Sequence, residues 1–301
     1  MTSSNEANVS MSDKKINFPI LDICTLSETR DEDFLVSKFG AYLERHKNLH
    51  HAHRHSFYHL VFFTQGAGFH TIDFSNFDVK PYQIYFMIPG QVHSWSFEGS
   101  IDGYVVNFSE EFFQSFLLKA EYLANFSFFN NIAQDSVINL SFPLNQKVKG
   151  FFEEILEQAQ QKQPFAHDMI KSLLIQMFIA IDQQTITEKP KNIPQFNYTL
   201  LKNFQKLIEK HHTTLKLPME YAELLYITPN HLNALCKEHL GMQAGEVIRN
   251  RIVLEAKRLL VNKNTSISEI AYYLNFADNS YFSKFFKKHV GVSPEEFRKK
   301  I

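Results

Sequence analysis

Cysteine is scarce: Cys24 and Cys236 are the two among 301 residues, far apart and without metal-ligand spacing. That excludes a disulfide framework and fits a reducing cytoplasm. Long apolar runs are missing as well. None approaches the length of a bilayer span, so no membrane partner is expected. Residues 1–15 are polar and rich in Ser and Asn, with no apolar core of a signal peptide, and read as a disordered leader. An excess of one charge is also missing, since the net charge is −1.

That near-neutrality hides an asymmetry. Residues 198–301 hold sixteen Lys and Arg against ten Asp and Glu, a charge of +6, and residues 1–197 carry the balancing −7. A basic C-terminal part joined to an acidic remainder fits a polyanion-binding module attached to a second unit. At 44% hydrophobic and 21% charged, the chain is long and apolar enough for two cores.

The two halves differ in period. Segments 57–64, 67–73, 84–88, 92–97 and 104–108 are aromatic or β-branched. Gly66, Gly68, Pro81, Pro89-Gly90 and Gly99 punctuate them, which predicts short strands in a barrel or sandwich. From 110 to 186 the period becomes helical. One stripe is Leu144, Val148, Phe151, Phe152, Ile155 and Leu156. A second is Met169, Ile170, Leu173, Leu174, Met177, Phe178 and Ile181. These helices close the barrel or form a dimer seam. Residues 187–197, with Pro190 and Pro194, read as a linker. The rest is helical, over about 198–211, 218–226, 229–240, 244–262, 267–274, 279–290 and 294–300.

Two copies of one unit lie in this helical part. Ala222 aligns with Ala271, Ile227 with Phe276, and Lys237, His239 and Gly241 with Lys287, His289 and Gly291. Each copy is short helix, tight turn, second helix and glycine stop, the punctuation of a helix-turn-helix over 218–240 and 267–290. Thr228 and Asp278 are the expected N-caps. Leu224, Leu225, Ile227, Leu232 and Leu235 are expected in the core, with Ile270, Ala271, Leu274, Phe276, Phe282, Phe285 and Phe286. Asn230, His231, Asn233 and Lys237 are left for one outer face. Asn279, Ser280, Tyr281, Lys284, Lys287 and Lys288 are left for the other. Asn pairs bidentately with adenine in the major groove, and Lys meets guanine or phosphate. The connecting helix, about 28 Å long by its residue count, could set two recognition helices near one duplex turn apart, roughly 34 Å.

Residues 217–300 resemble the DNA-binding domain of AraC-type transcription regulators. The resemblance runs through Arg251, Ala256 and Leu259-Leu260, then Ile267-Ser268-Glu269-Ile270-Ala271. It continues over Asn275-Phe276-Ala277-Asp278-Asn279-Ser280-Tyr281-Phe282 and closes on Gly291-Val292-Ser293-Pro294. Asn275 stands where that family usually has Gly, and Cys236-Lys237 where an aromatic-basic pair is common. The resemblance implies base readers at Asn230, His231, Asn233, Asn279, Ser280, Tyr281 and Lys284, and phosphate contacts at Thr228, Lys237, Arg249 and Lys287. It also implies a cupin-like sensor barrel, a small-molecule effector, a homodimer on promoter DNA, and RNA polymerase as a further partner.

Seven of the fourteen histidines fall between His46 and His70. His53, His55 and His59 share one parity with Phe57, Val61 and Phe63, so on a strand they face one way. The spacing His53-x-His55-x3-His59-x6-Gly66 resembles the first cupin motif with His in place of its Glu. Pro89-Gly90-Gln91-Val92-His93 resembles the second. His53, His55, Phe57, His59, His93 and Trp95 are therefore the expected effector pocket. Tyr58, Phe62, Phe69, Tyr85, Phe86 and Tyr104 add apolar wall. The four histidines also stand as metal-ligand candidates. The expected protein is an α+β two-domain regulator, with a cupin-like β-barrel and flanking helices before an all-α double helix-turn-helix domain. It is expected to be neither an enzyme nor cofactor-dependent. A cupin metalloenzyme carrying a DNA-binding domain is the alternative, and a non-specific nucleoid-type binder a third reading.

Overall fold

The computed structural model describes residues 20–26, 33–46, 52–113, 116, 120–161, 163–188 and 195–300. The expected leader lies outside them, as do residues 189–194 of the expected linker. Residues 187–188 and 195–197 are helical rather than linker, so the flanking helices approach each other in sequence more closely than composition suggests.

The N-terminal part is one eight-stranded sheet. Its strands are β1 (Ile20–Leu21), β2 (Phe34–Lys38), β3 (His53–His55), β4 (Tyr58–Ile72), β5 (Ser75–Asp78), β6 (Gln83–Met87), β7 (Val92–Phe108) and β8 (Val137–Asn139). The hydrogen-bonded order is β1-β3-β7-β4-β6-β8, with β2 on β7 and β5 on β4. All pairings except β1–β3 are antiparallel. Short helices α1 (Ile23–Leu26) and α2 (Phe39–Arg45) precede the long strands.

Five separate strands were expected where two long ones carry most of the sheet. β4 absorbs Gly66 and Gly68, and β7 absorbs Gly99 and Gly103, without ending. The register between them shifts at Phe63/Gln65 and Gln65/Ala67. Glycine here permits close approach instead of a turn: a Cβ on Gly68 would strike the backbone carbonyl of Ser96.

Strand parity sorts the sheet into two cores. Leu60, Phe62, Ile84, Phe86, Tyr104, Val106 and Phe108 face outward. They pack on α3 (Leu144–Gln161) and α4 (Ala166–Glu188) through Val148, Phe152, Ile155, Ile170, Leu174, Met177 and Phe178. The helical stripes thus cover their own sheet. Phe57, Val61, Phe63, Tyr85, Met87, Trp95 and Val105 face inward. Of the expected pocket wall, Tyr58, Phe62, Phe86 and Tyr104 lie on the helix side and Phe69 is 46% exposed. Phe62, Phe86 and Tyr104 alternate with the inward Val61, Phe63, Tyr85 and Val105, whereas Phe69 shares the parity of Val61 and Phe63 but lies beyond the bulges that reverse it.

The C-terminal part holds α5 (Gln195–His211), α6 (Pro218–Leu224), α7 (Pro229–Leu240), α8 (Ala244–Leu260), α9 (Ile267–Tyr273), α10 (Asn279–Val290) and α11 (Pro294–Lys300). One core joins them, centred on Phe204, Leu232, Cys236, Ile252, Leu259, Phe282 and Phe286. Leu224 is 45% exposed, against expectation. Cys236 is fully buried, and burial pushes its thiol up to about 11. Thr228 and Asp278 cap α7 and α10 by accepting from the backbone N–H of His231 and Tyr281. Gly241 and Gly291 close both helices in the left-handed region.

Each unit's turn also needs one left-handed residue. In the second unit it is Asn275, at φ 54°, and in the first it is Tyr226, at φ 56°, one repeat earlier. A tyrosine bears a steric cost of about 1–2 kcal/mol there, and at 96% exposure its ring gains little packing in return. Tyr226→Gly is therefore expected to raise the unfolding free energy by about 1 kcal/mol, while Asn275→Ala lowers it by about as much. Urea unfolding of the two variants checks both signs.

Candidate functional site

Two surfaces and one interior cluster bear on function. On the first helix-turn-helix, Thr228, Asn230, His231 and Lys237 all lie exposed on α7 or its cap. On the second, Asn279, Ser280, Tyr281, Lys284 and Lys287 all lie exposed on α10, opposite the buried Phe282 and Phe286. Polar N-terminal halves followed by lysines offer groups that match base edges first and phosphates next. Between the units, α8 runs for 17 residues, about 25 Å at 1.5 Å per residue.

Two expected contact residues are differently placed. Asn233 is half-buried, and its Oδ1 accepts the N–H of Ala244 at 3.1 Å, so it holds the start of α8. The acceptor half of a bidentate adenine contact is thereby committed. Arg249 is half-buried on α8, its guanidinium lying over Gly245. The N-capping habit of Asn pointed to this use of Asn233, but only the fold brings Ala244 beside it.

The predicted interior residues do converge. His53, His55, Phe57, His59, His93 and Trp95 are all buried within the curl of the sheet. Register pairs His53 with His93 across β3 and β7. His55 Nε2 and His93 Nε2 lie 2.7 Å apart and share one proton. His59 Nδ1 lies 2.6 Å from Asn107 Oδ1, which can only accept, so the ring donates there and its Nε2 keeps a lone pair. Burial first, then neighbouring histidines, holds His55, His70 and His93 well below the ordinary imidazole value. Burial lowers His59 to about 3. All four are neutral near pH 7.

His70 belongs to this cluster although its parity argued against it. Its Nε2 lies 3.1 Å from His93 Nδ1 and its ring stacks on Trp95 at 3.5 Å. The bulged stretch of β4 between Phe63 and Ala67 reverses the parity and turns His70 and Ile72 inward. The glycine pair Gly66 and Gly68 was the available signal.

A third feature was not anticipated. The β4–β5 hairpin turns at Asp73 and Phe74, with φ 47° and 71°, and its tip enters the C-terminal domain. Asp73 accepts two hydrogen bonds from Arg258 of α8, at 2.7 and 2.6 Å, inside the molecule. Arg258 also donates to Asn131 Oδ1 at 2.8 Å. Phe74 packs edge-on against Phe297 of α11. A bulky residue at positive φ costs energy that this docking offsets. Nothing local in the sequence marks it, since Asp73 and Arg258 are 185 positions apart.

Comparison with known proteins agrees with this division. Residues 40–178 match the AraC-like ligand binding domain family, and residues 221–300 match a helix-turn-helix domain family. The transcriptional activator RhaR of Escherichia coli is 22% identical over 249 residues, covering 82% of this chain and 86% of RhaR. The transcriptional regulatory protein YesN of Bacillus subtilis is 36% identical over 88 residues, 29% of this chain. The probable transcription factor PqrA of Proteus vulgaris is 38% identical over 68 residues, 23% of this chain. These last two matches cover 24% of YesN and 56% of PqrA. No helix among the described residues is long and apolar enough to cross a membrane. With a ligand-binding domain of this type ahead of a double helix-turn-helix, the chain belongs to the AraC family of transcription regulators.

Proposed function

We propose that the chain is a sequence-specific DNA-binding regulator whose promoter affinity is set by a small-molecule effector in the N-terminal domain. The observation that carries this reading is the pair of exposed polar helices, α7 and α10, mounted on one core and joined through α8. Asn230, His231, Asn279, Ser280, Tyr281 and Lys284 are assigned to base edges. Thr228, Lys237 and Lys287 are assigned to phosphates, Asn233 is reassigned to helix capping, and Arg249, half-buried over Gly245, is withdrawn from the contact set. The effector acts at His53, His55, Phe57, His59, His93 and Trp95. An effector shifts the equilibrium between two domain arrangements only by its difference in affinity for them. The hairpin at Asp73 is the element through which that difference reaches α8.

The protein works in the cytoplasm as a homodimer, and its contact with RNA polymerase follows if it activates. Relatives named as transcription regulators favour this reading over the metalloenzyme alternative. Two variants test the faces. Asn279→Ala with Asn230→Ala weakens specific binding by about 1–3 kcal/mol per lost base contact and leaves non-specific binding nearly unchanged. Lys287→Ala weakens both alike and lowers the salt slope by about one. Fluorescence anisotropy against matched and scrambled duplexes, each at several salt concentrations, separates the two. An unchanged specificity ratio in the double variant removes the assignment of these faces.

A further inference from the structure

We propose that His53, His55 and His93 bind one first-row transition-metal ion of the Zn²⁺, Ni²⁺ or Cu²⁺ class, and that this ion is the effector. The proposal rests on the regulatory reading above for the second clause only.

The donor atoms of these three side chains, all buried, lie within 4.8 Å of one another. Four-coordinate imidazole nitrogens about 2.0–2.1 Å from a metal sit about 3.3 Å apart. The 2.7 Å His55–His93 approach falls below that spacing and the 4.8 Å limit above it. The observed separations therefore bracket the spacing a bound ion requires. An ion between His55 Nε2 and His93 Nε2 takes a lone pair from each, and the proton they now share moves to His55 Nδ1, so that both rings stay neutral. His93 Nδ1 then keeps its proton and donates to His70 Nε2, the outer hydrogen bond that fixes a ligating imidazole. His59 is the nearest further donor, its ring centre 4.9 Å from that of His55. Asn107 already fixes its tautomer, with Nε2 left bare.

Without an ion the cluster is poorly satisfied. His55 Nδ1, His59 Nε2 and His70 Nδ1 are buried with no hydrogen-bond partner. Such groups are normally paired or replaced by apolar ones. An all-imidazole, aromatic-walled interior selects borderline transition metals over Mg²⁺ or Ca²⁺, which take oxygen ligands.

The site has a route in and a route out. His53 lines a cleft of about 220 Å³ between the domains, with Arg54, Val92, Arg258 and Lys263. Val92, next to His93, donates its N–H to Asp73 Oδ1 at 3.3 Å, and its carbonyl accepts from the Asp73 N–H at 2.9 Å. Asp73 holds Arg258. Ligation of His93 therefore acts one residue away from the ionic contact between the domains.

The test uses the full chain, stripped with chelator, dialysed against Zn²⁺, Ni²⁺ or Mg²⁺, and assayed for bound metal by mass spectrometry. Co²⁺ serves as a spectroscopic probe. One Zn²⁺ or Ni²⁺ per chain, no Mg²⁺, and the visible bands of low-coordinate Co²⁺ are expected. His93→Ala and the rim variant His53→Ala should each weaken uptake at least 100-fold, with folding checked by circular dichroism. Metal should change affinity for a selected duplex at least fivefold. A folded chain that takes up no stoichiometric ion, or whose uptake survives both variants, overturns the site, even if it binds DNA specifically. Uptake without any change in affinity overturns the effector role. Uptake by a chain that binds no DNA overturns the regulatory reading and the effector role with it, but leaves the site.

Discussion

Arg258→Ala is expected to cost about 3–5 kcal/mol and to release the DNA-binding domain from the sheet. That is the ordinary penalty for removing one partner of a buried ion pair, because the other charge stays behind in a low-dielectric setting. Arg258 is 2% exposed and commits Nε and Nη2 to the two Asp73 oxygens. Without it Asp73 would retain only Gln91 Nε2, at 2.9 Å, and the Val92 N–H as donors. Other contacts cross the same junction, among them Asn131 Nδ2 to Glu209 Oε2 of α5 at 2.7 Å and Lys202 Nζ to the Asn125 carbonyl at 2.7 Å. A single cooperative thermal transition in the parent should split into two in the variant, as sheet and helices unfold separately. Arg258→Met combined with Asp73→Asn should recover part of the loss, since it removes both charges together. A lone Arg258→Ala with an unchanged melting temperature would remove the hairpin from its proposed role between the domains.

Acid is expected to unfold the metal-stripped N-terminal domain well before the C-terminal one. His59 titrates near 6.5 in the unfolded chain but at about 3 in the fold, because burial opposes its charged form. Between those values the unfolded chain holds the extra proton, so stability rises with pH. It is complete above about pH 6.5 and lost progressively as pH falls towards 3. The loss is about 1.4 kcal/mol per pH unit for one such histidine. His55, His70 and His93 shift in the same direction for the same reason and steepen it. Urea midpoints of the N-terminal transition should fall sharply between pH 7 and pH 5. His59→Gln should remove about one proton from the slope. A midpoint flat across that range would mean that the cluster is protonated or open to water in the fold.

Much of this was legible in the sequence for simple reasons. Caps at Thr228 and Asp278, glycine stops at Gly241 and Gly291, and the Phe stripe of α10 are local signals, and they appear where punctuation places them. Period two placed His53 and His55 on one face of β3, and His59 keeps the same parity on β4 after the bend at residues 56–57. It failed for His70 because the irregular stretch at Gly66 and Gly68 shifts the register. It also could not show that Asn233 would find the N–H of Ala244, or Asp73 the guanidinium of Arg258. Those partners meet only through tertiary packing, and no spacing rule reaches across it. Tyr226 was hidden differently. Alignment with Asn275 marks the turn, but tyrosine gives no sign of the left-handed backbone it adopts.

The central claim is that two exposed helices on one core read one face of a duplex. The most direct measurement selects bound sequences from a random duplex pool with the full chain, then footprints the enriched site with hydroxyl radicals. Two protected stretches about one helical turn apart on the same face, both lost in the Asn279→Ala, Asn230→Ala variant, are the result expected. No enrichment, with affinity that tracks salt alone, would contradict it.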